Sequence, residues 1–375
     1  MKFSSESIFF LIIIIFLASN RARVGSELPS KEIDLLHLVH QTIDAKKAVK
    51  IDSFFTARNK RGLFNGAVLV AEKGRVVYEK AFGYADFRKK TPLAPDSSFQ
   101  LASVSKPLTA TAVLMLAEEG RLGLEDDVRK FFPKFPYENV TVRLLLTHRS
   151  GLPDYMYFAD KYWRDRHTPI SNADVIRMMI TRRPDRYYEP NRRYNYSNTN
   201  YCLLAAIIEK VSGMTFPQFM RTRIFKPLHM DDSWVYEKTE DSRIPAGVTG
   251  YNRRGRRAEN SYLNGVVGDK GIYSTVEDLY KFDQALNEGR LVSASALAEA
   301  YKPAHPDLRI WDNYGFGWRI NAADPAHKII YHTGWWKGFK TYFIREIDDR
   351  KTIIVLTNSA RIGFIPVRTL ESLLL

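Results

Sequence analysis

Two rhythms of apolar residues run along the chain. GAVLVAE (66–72) and RVVYEKAFGYA (75–85) are rich in β-branched and aromatic residues and are parted by Lys73-Gly74, which predicts a β-hairpin. Four more such runs gather near the other end: YGFGWRI (314–320), KIIYHTG (328–334), FKTYFIREI (339–347) and KTIIVLTN (351–358). Elsewhere the spacing lengthens to that of helices. Helices are predicted at 31–60, at 105–119 before Gly120, at 199–211 before Gly213, at 276–288, and from near Pro366 to the chain end. Strands at both ends with helices between them predict an α+β fold. One antiparallel sheet is built from both chain ends and flanked by helices, and a mainly helical lobe is inserted into it. The expected boundaries are a sheet lobe over 28–135 and 266–375 and a helical lobe over 136–265, with a cleft where they meet.

Residues 8–18, IFFLIIIIFLA, form an uninterrupted apolar run after Lys2 and before Ala18, Ser19 and Asn20. As a helix it spans about 16 Å, too short for a bilayer core of about 30 Å. The expectation is a signal peptide over 1–25 and a periplasmic or extracellular protein, with a membrane anchor as the alternative if the segment is uncleaved.

Composition excludes several classes. The 375 residues are 45% hydrophobic and 26% charged, as in ordinary globular proteins. One cysteine, Cys202, rules out an intrachain disulfide framework and reads as a small core residue. The eight histidines are scattered, and the close pair His37 and His40 has no carboxylate between its members, so no metal site is expected. The net charge is +14, and residues 161–260 carry 19 Lys and Arg against 11 Asp and Glu. No nucleic-acid motif accompanies Arg182, Arg183, Arg186, Arg192, Arg193 or the 253–257 arginines. The expectation is no nucleic-acid partner, but a basic rim able to draw anionic substrates or an anionic cell-wall polymer.

Three motifs carry chemistry. In Ser103-Val104-Ser105-Lys106 the i, i+3 spacing puts Ser103 and Lys106 on one helix face, at the N-terminal end of the 105–119 helix. A buried lysine with a lowered pKa can accept the serine proton and make Ser103 a nucleophile. Tyr196-Ser197-Asn198 precedes the 199–211 helix, which Ser197 or Asn198 is placed to cap. Tyr196, its pKa lowered by cations, is expected to act as base or acid, while Asn198 orients an acyl amide and holds Lys106. His332-Thr333-Gly334 ends a predicted strand, where the glycine admits a substrate and the backbone N–H of Trp335 pairs with that of Ser103 as an oxyanion hole.

With their flanks, these motifs resemble the serine β-lactamase and penicillin-binding-protein superfamily, most closely its class C, esterase and D-amino peptidase branch. The segments that carry the resemblance are FQLASVSKPLTA (99–110), LLLTHRSGLPDY (144–155), YNYSNTNYCLLAAIIEKVSG (194–213), GVVGDKGIYSTVEDL (265–279) and HTGWWKG (332–338). It covers roughly residues 45 to 365. The resemblance implies acylation of Ser103 and hydrolysis by water, with Lys106 as base or relay and Tyr196 as its partner. Asn198, His332, Thr333, Gly334 and Trp335 are then substrate-binding, and no metal or organic cofactor is needed. The implied substrate is a β-lactam, a D-amino-acid peptide or an ester, and the alternative is a non-hydrolytic penicillin or peptidoglycan-peptide sensor.

Departures from the family pattern sharpen these expectations. His332 replaces a lysine, and a neutral imidazole is a poor anion anchor. Trp335 and Trp336 are expected to narrow the mouth toward apolar acyl groups. Asp269 is read as shaping a turn, His148 and Ser150-Gly151 as a structural motif, and Asp154, Tyr155 and Tyr157 as possible cleft lining.

Overall fold

The central runs 66–72, 339–346 and 351–357 are buried on both faces, which is why they read as continuous apolar segments, whereas the edge run 75–82 leaves Val76 exposed. In β1 (Gly66–Glu72), Ala67, Leu69 and Ala71 face one core, while Val68 and Val70 face another. The computed structural model describes residues 30–375 apart from 238–246, 260, 306–307, 310–311, 325–326, 362 and 374–375, with side chains from residue 45 onward. The expected signal segment and the side chains of His37 and His40 lie outside the described residues.

The main elements follow in chain order. They are α1 (Ser30–Lys60), β1, β2 (Arg75–Phe82), α2 (Ser105–Glu118), α3 (Tyr155–Tyr162), α4 (Asn172–Arg182), α5 (Asn198–Ser212), α6 (Val276–Asn287), β3 (Asn313–Tyr314), β4 (Arg319–Asn321), β5 (Ile329–Trp336), β6 (Phe339–Glu346), β7 (Lys351–Thr357) and α7 (Val367–Glu371). One antiparallel sheet runs β2-β1-β7-β6-β5-β4-β3, so the first strand pairs with the last, Gly66 opposite Thr357 and Glu72 opposite Lys351. Residues 48–375 form one compact unit. On one sheet face Ile51 and Phe55 of α1 and Leu370 of α7 are fully buried. Each such side chain contributes about 1.5–3 kcal/mol on leaving water. On the other face the larger core joins the sheet to α2, α5 and α6.

Lys73 and Gly74 both take positive φ, 52° and 74°, as the hairpin requires. Two expectations need correction. YGFGWRI is not one strand: Gly315 and Gly317 turn the chain, and Asn313 and Tyr314 fold back to pair with Ile320 and Arg319. Gly317 has φ 81°, and a Cβ there would lie 2.9 Å from the Ala110 Cβ and 3.0 Å from the Lys106 carbonyl. The final helix is also shorter than expected, starting after Pro366 and ending at Glu371.

A small three-stranded sheet positions the site. Phe99–Gln100 and Trp234–Val235 flank Ile272–Ser274. It ties the segment entering Ser103 to the segment leaving Asp269, and the Leu101 N–H donates to the Ile272 carbonyl at 2.9 Å.

Candidate active site

Ser103 sits on a 3₁₀ turn, Ala102–Val104, that feeds directly into α2. Ala102 before it has φ 50°, a left-handed conformation that costs a residue with a Cβ on the order of 1 kcal/mol. Gly334 of β5 closes the other side. A Cβ there would stand 2.4 Å from the Leu101 carbonyl and 3.0 Å from the Ala102 Cβ, so only glycine lets the strand lie against this turn. The two elements proposed to supply oxyanion donors, the Ser103 turn and the strand end at Trp335, are thereby neighbours.

One helical turn on, Lys106 is completely buried. Its Nζ lies 3.0 Å from the Ser103 Oγ, 3.0 Å from the Asn198 Oδ1 and 2.9 Å from the Asp269 backbone carbonyl. Burial lowers its pKa to about 8; Asp269 and Asp154 oppose the shift and Arg319 adds to it. A neutral amine donates two hydrogen bonds here, to Asn198 and Asp269, and turns its lone pair to the Ser103 hydroxyl.

The Tyr196 hydroxyl donates to the same Ser103 Oγ at 3.0 Å. The structure corrects the expectation of a lowered tyrosine pKa. Burial drives it far above the ordinary phenol range, and the opposing effects of the Ser103 hydrogen bond and Arg319 are smaller. Tyr196 is therefore a proton donor at neutral pH. Its ring lies 4.2 Å from the His148 ring and 4.9 Å from the Lys106 Nζ, centroid distances that fix its orientation. His148 takes positive φ, 56°, just past the short helix Val142–Leu146, and its Nδ1 faces the Asn200 amide at 3.0 Å.

Asn198 opens α5. Its Oδ1 faces Lys106, while its Nδ2 and its backbone N–H both donate to the Asp154 Oδ2 at 2.9 Å. The other amide hydrogen is directed at the Met156 Sδ, 3.6 Å away, a weak acceptor. Ser197 occupies the N-cap position but makes no side-chain capping bond. Asp154 caps α3 through the Met156 N–H and is buried, so its role is to hold the Asn198 amide rather than to line an open cleft. Tyr155 is likewise fully buried, while Tyr157 is 73% exposed. Cys202 is buried in the core on α5, as its apolar helix face suggests.

His332 does not present a free imidazole. Its Nε2 pairs with the Tyr314 hydroxyl at 3.0 Å and its Nδ1 with the Thr333 carbonyl at 2.8 Å. The ring is 1% exposed, and burial with Arg319 and Lys106 nearby holds its pKa well below the ordinary value, so it is neutral. Trp335 is 57% exposed beside this strand end. Trp336 turns inward instead, its indole N–H donating to the Asn264 Oδ1 at 2.8 Å, so only one of the two tryptophans stands free at the surface.

Two residues were missed by sequence reasoning. Arg319 of β4 lies opposite Tyr331, with its guanidinium 5.8 Å from the Tyr196 ring centroid. Its side chain is 30% exposed, and Asp312 stands 3.7 Å away. The hairpin at Gly315–Gly317 puts it there, and a continuous strand hides that placement. The other is Lys270. It lies beside Asp269 in a stretch where the only signal was two adjacent opposite charges between glycines.

Residues 51–366 match the Beta-lactamase family over most of the chain. The chain belongs to that family. Penicillin-binding protein 4* of Bacillus subtilis (strain 168) is 39% identical over 325 residues, 83% of this chain and 72% of the relative. The putative penicillin-binding protein PbpX of the same strain is 32% identical, over 68% of this chain and 62% of the relative. Among solved structures, the octameric penicillin-binding protein homologue from Pyrococcus abyssi superposes with a TM-score of 0.73 at 29% identity, over 85% of this chain and 74% of that one. The D-amino acid amidase from Ochrobactrum anthropi SV3 gives 0.70 at 26% identity, over 86% and 99%. These matches show a β-lactamase and penicillin-binding-protein type of fold, the frame of a serine hydrolase.

Proposed function

We propose that this protein is an exported serine hydrolase that works through an acyl-enzyme on Ser103. The observation that carries this reading is the unbroken chain from the Tyr196 hydroxyl to the Ser103 Oγ to the Lys106 Nζ, each step 3.0 Å long and the lysine fully buried. Neutral Lys106 takes the Ser103 proton as Oγ attacks the substrate carbonyl carbon. The backbone N–H groups of Ser103 and Trp335 receive the resulting oxyanion. Tyr196 gives its proton to the leaving nitrogen or oxygen, and the tyrosinate regains one from the Lys106 ammonium, which returns to the neutral amine. Water then attacks the ester, the same groups run in reverse, and the Ser103 hydroxyl is restored.

The substrate class follows from charge. Both nitrogens of His332 are occupied, so a substrate carboxylate finds its cation at Arg319, which is partly open to solvent. Acyl-D-amino-acid peptides and β-lactams carry such a carboxylate, in keeping with relatives named as penicillin-binding proteins. The apolar run at 8–18 supports export, and the basic segment near Tyr196 supports attraction of anionic polymer.

Incubation with a penicillin, a D-Ala-D-Ala peptide and a D-amino-acid amide, followed by intact mass and peptide mapping, tests the reading. An adduct on Ser103 that turns over on at least one of them is expected. A persistent adduct with no turnover points to a sensor, and adducts confined to other residues remove the reading. Arg319→Gln tests the anchor. Charge-assisted hydrogen bonds contribute about 1.5–3 kcal/mol, so KM for carboxylate-bearing substrates should rise by roughly 10–100-fold. KM for neutral esters should stay put, and an equal rise for both would deny the anchor.

A further inference from the structure

The site holds a second buried lysine with no part in the scheme above. Lys270 is 2% exposed. Its Nζ donates to the Tyr155 hydroxyl at 2.9 Å and to the Val266 carbonyl at 2.8 Å. Tyr155 in turn donates to the Asp269 Oδ2 at 2.9 Å. The other carboxylate oxygen, Oδ1, accepts no hydrogen bond among the described residues and stands 3.7 Å from the Lys270 Nζ. Asp269 thus shows two faces: its carboxylate looks to Lys270 and Tyr155, and its backbone carbonyl accepts from Lys106 at 2.9 Å.

We propose that Lys270 is a positioning residue for Lys106: it neutralises the Asp269 carboxylate and, through Tyr155, holds it turned away, so that Lys106 meets only the Asp269 carbonyl and can serve as an uncharged base. The inference rests on the reading of Lys106 as the base of acylation.

A buried carboxylate needs a counter-charge, and which lysine supplies it decides the state of Lys106. An ionised carboxylate at 0% exposure cannot stand uncompensated. Two lysines lie near it. If it paired with Lys106, the ammonium form would be favoured and the serine would lose its base. Lys270 takes that place instead, and the Tyr155 hydroxyl, donating to Asp269 while accepting from Lys270, fixes the carboxylate direction.

The other groups facing Lys106 do not substitute for this arrangement. Asp154 acts on it through Asn198 and already receives three hydrogen bonds, from the Asn198 N–H, the Asn198 amide and the Met156 N–H. Arg319 favours the neutral amine. His148 and His332 are held neutral by burial and add no charge. The rings of Tyr196 and Tyr201 present their faces at 4.9 and 5.6 Å. Around Lys270 itself stand Asp269, Tyr155, the thiol of Cys202, Lys106 and the Trp336 ring at 5.3 Å. Among the described residues, the Asp269 carboxylate stands 3.7 Å from the Lys270 Nζ, while Lys106 meets only its backbone carbonyl.

The test is the pH dependence of Ser103 phosphonylation by a fluorophosphonate probe, which loses fluoride, read by intact mass so that no turnover is needed. In the unsubstituted protein the rate should rise with pH through the titration of Lys106. Lys270→Met should move that rise upward by about one pH unit or more and cut the rate at pH 7 roughly tenfold. Lys270→Met with Asp269→Asn removes both charges together, protects against a folding defect, and should return the rise to its original position. A rise that ignores Lys270→Met, or one shifted equally in the double variant, overturns the proposal while leaving Ser103 and Lys106 in their roles. Failure of Ser103 to label in the unsubstituted protein overturns the acyl-enzyme reading, and this inference with it.

Discussion

Lys106→Met is expected to abolish acylation of Ser103 while leaving the protein folded. The fall in kcat/KM should be about 10⁴-fold, the upper range for loss of a positioned general base. Structure is retained for an electrostatic reason. Methionine fills nearly the same volume, and it removes an ammonium that burial already pushes toward neutrality. Against that gain, the Asn198 Oδ1 and the Asp269 carbonyl each lose a donor, which costs about 1–3 kcal/mol per group left unpaired. Asn198 remains held by Asp154. The thermal midpoint should therefore move by only a few degrees, a scale set by about 0.002 kcal/mol/K of unfolding entropy per residue. Rate and melting temperature measured on one preparation settle it. A large fall in both would mean that Lys106 serves the fold, and a rate within tenfold of the parent would end its role as base. The parent enzyme should also gain activity as pH rises through about 8, because the required form is the deprotonated lysine.

Asp283→Ala is expected to bring the largest loss of stability. Asp283 on α6 is fully buried and forms an ion pair with Arg345 of β6, itself 2% exposed. The Thr352 hydroxyl donates to the Asp283 Oδ2 at 3.0 Å, and the Arg345 guanidinium also donates to the Tyr301 hydroxyl at 2.6 Å and to the Asn287 Oδ1. The network pins α6 across β6 and β7 on the core face of the sheet. Removing the carboxylate alone strands a guanidinium out of water, at a cost of about 3–5 kcal/mol. For a protein of this size that is a fall in the melting midpoint of roughly 5–7 °C. Asp283→Leu with Arg345→Met should recover most of it, because two apolar side chains of similar volume carry no such penalty. Calorimetry on the single and double variants decides the matter: an unchanged midpoint in Asp283→Ala would show that the pair adds nothing net.

Much of the fold was legible because its signals are local. The Lys73-Gly74 turn announces itself by residue type, and the helices at 105 and 199 carry their own period and end in glycine. The motif residues Ser103, Lys106, Tyr196 and Asn198 were also legible, and the structure brings them within hydrogen-bond reach of one another. What could not be read is set by tertiary contact. The split at Gly315–Gly317 depends on a glycine packed against the Lys106 carbonyl, more than 200 residues away in sequence. Arg319 gains its place only through that turn. The direction of the Tyr196 shift was misjudged because cations near a motif can be guessed from sequence, whereas the burial that outweighs them cannot. From sequence His332 faces substrate, and nothing in its neighbours signals that Tyr314 occupies its second nitrogen.

The pairing of β1 with β7 has a consequence for how the chain is made. Residues 66–72 emerge from the ribosome about 280 residues before their hydrogen-bonding partners, 351–357. Until then β1 has only the hairpin with β2, and an isolated hairpin is marginal in water. The two cores that clasp the sheet cannot close on a partial chain, so the apolar strand 66–72 must wait until 351–357 has been made. A chain that stops before residue 351 lacks the strand that joins 66–72 to 340–346, and with it the support beneath Ser103.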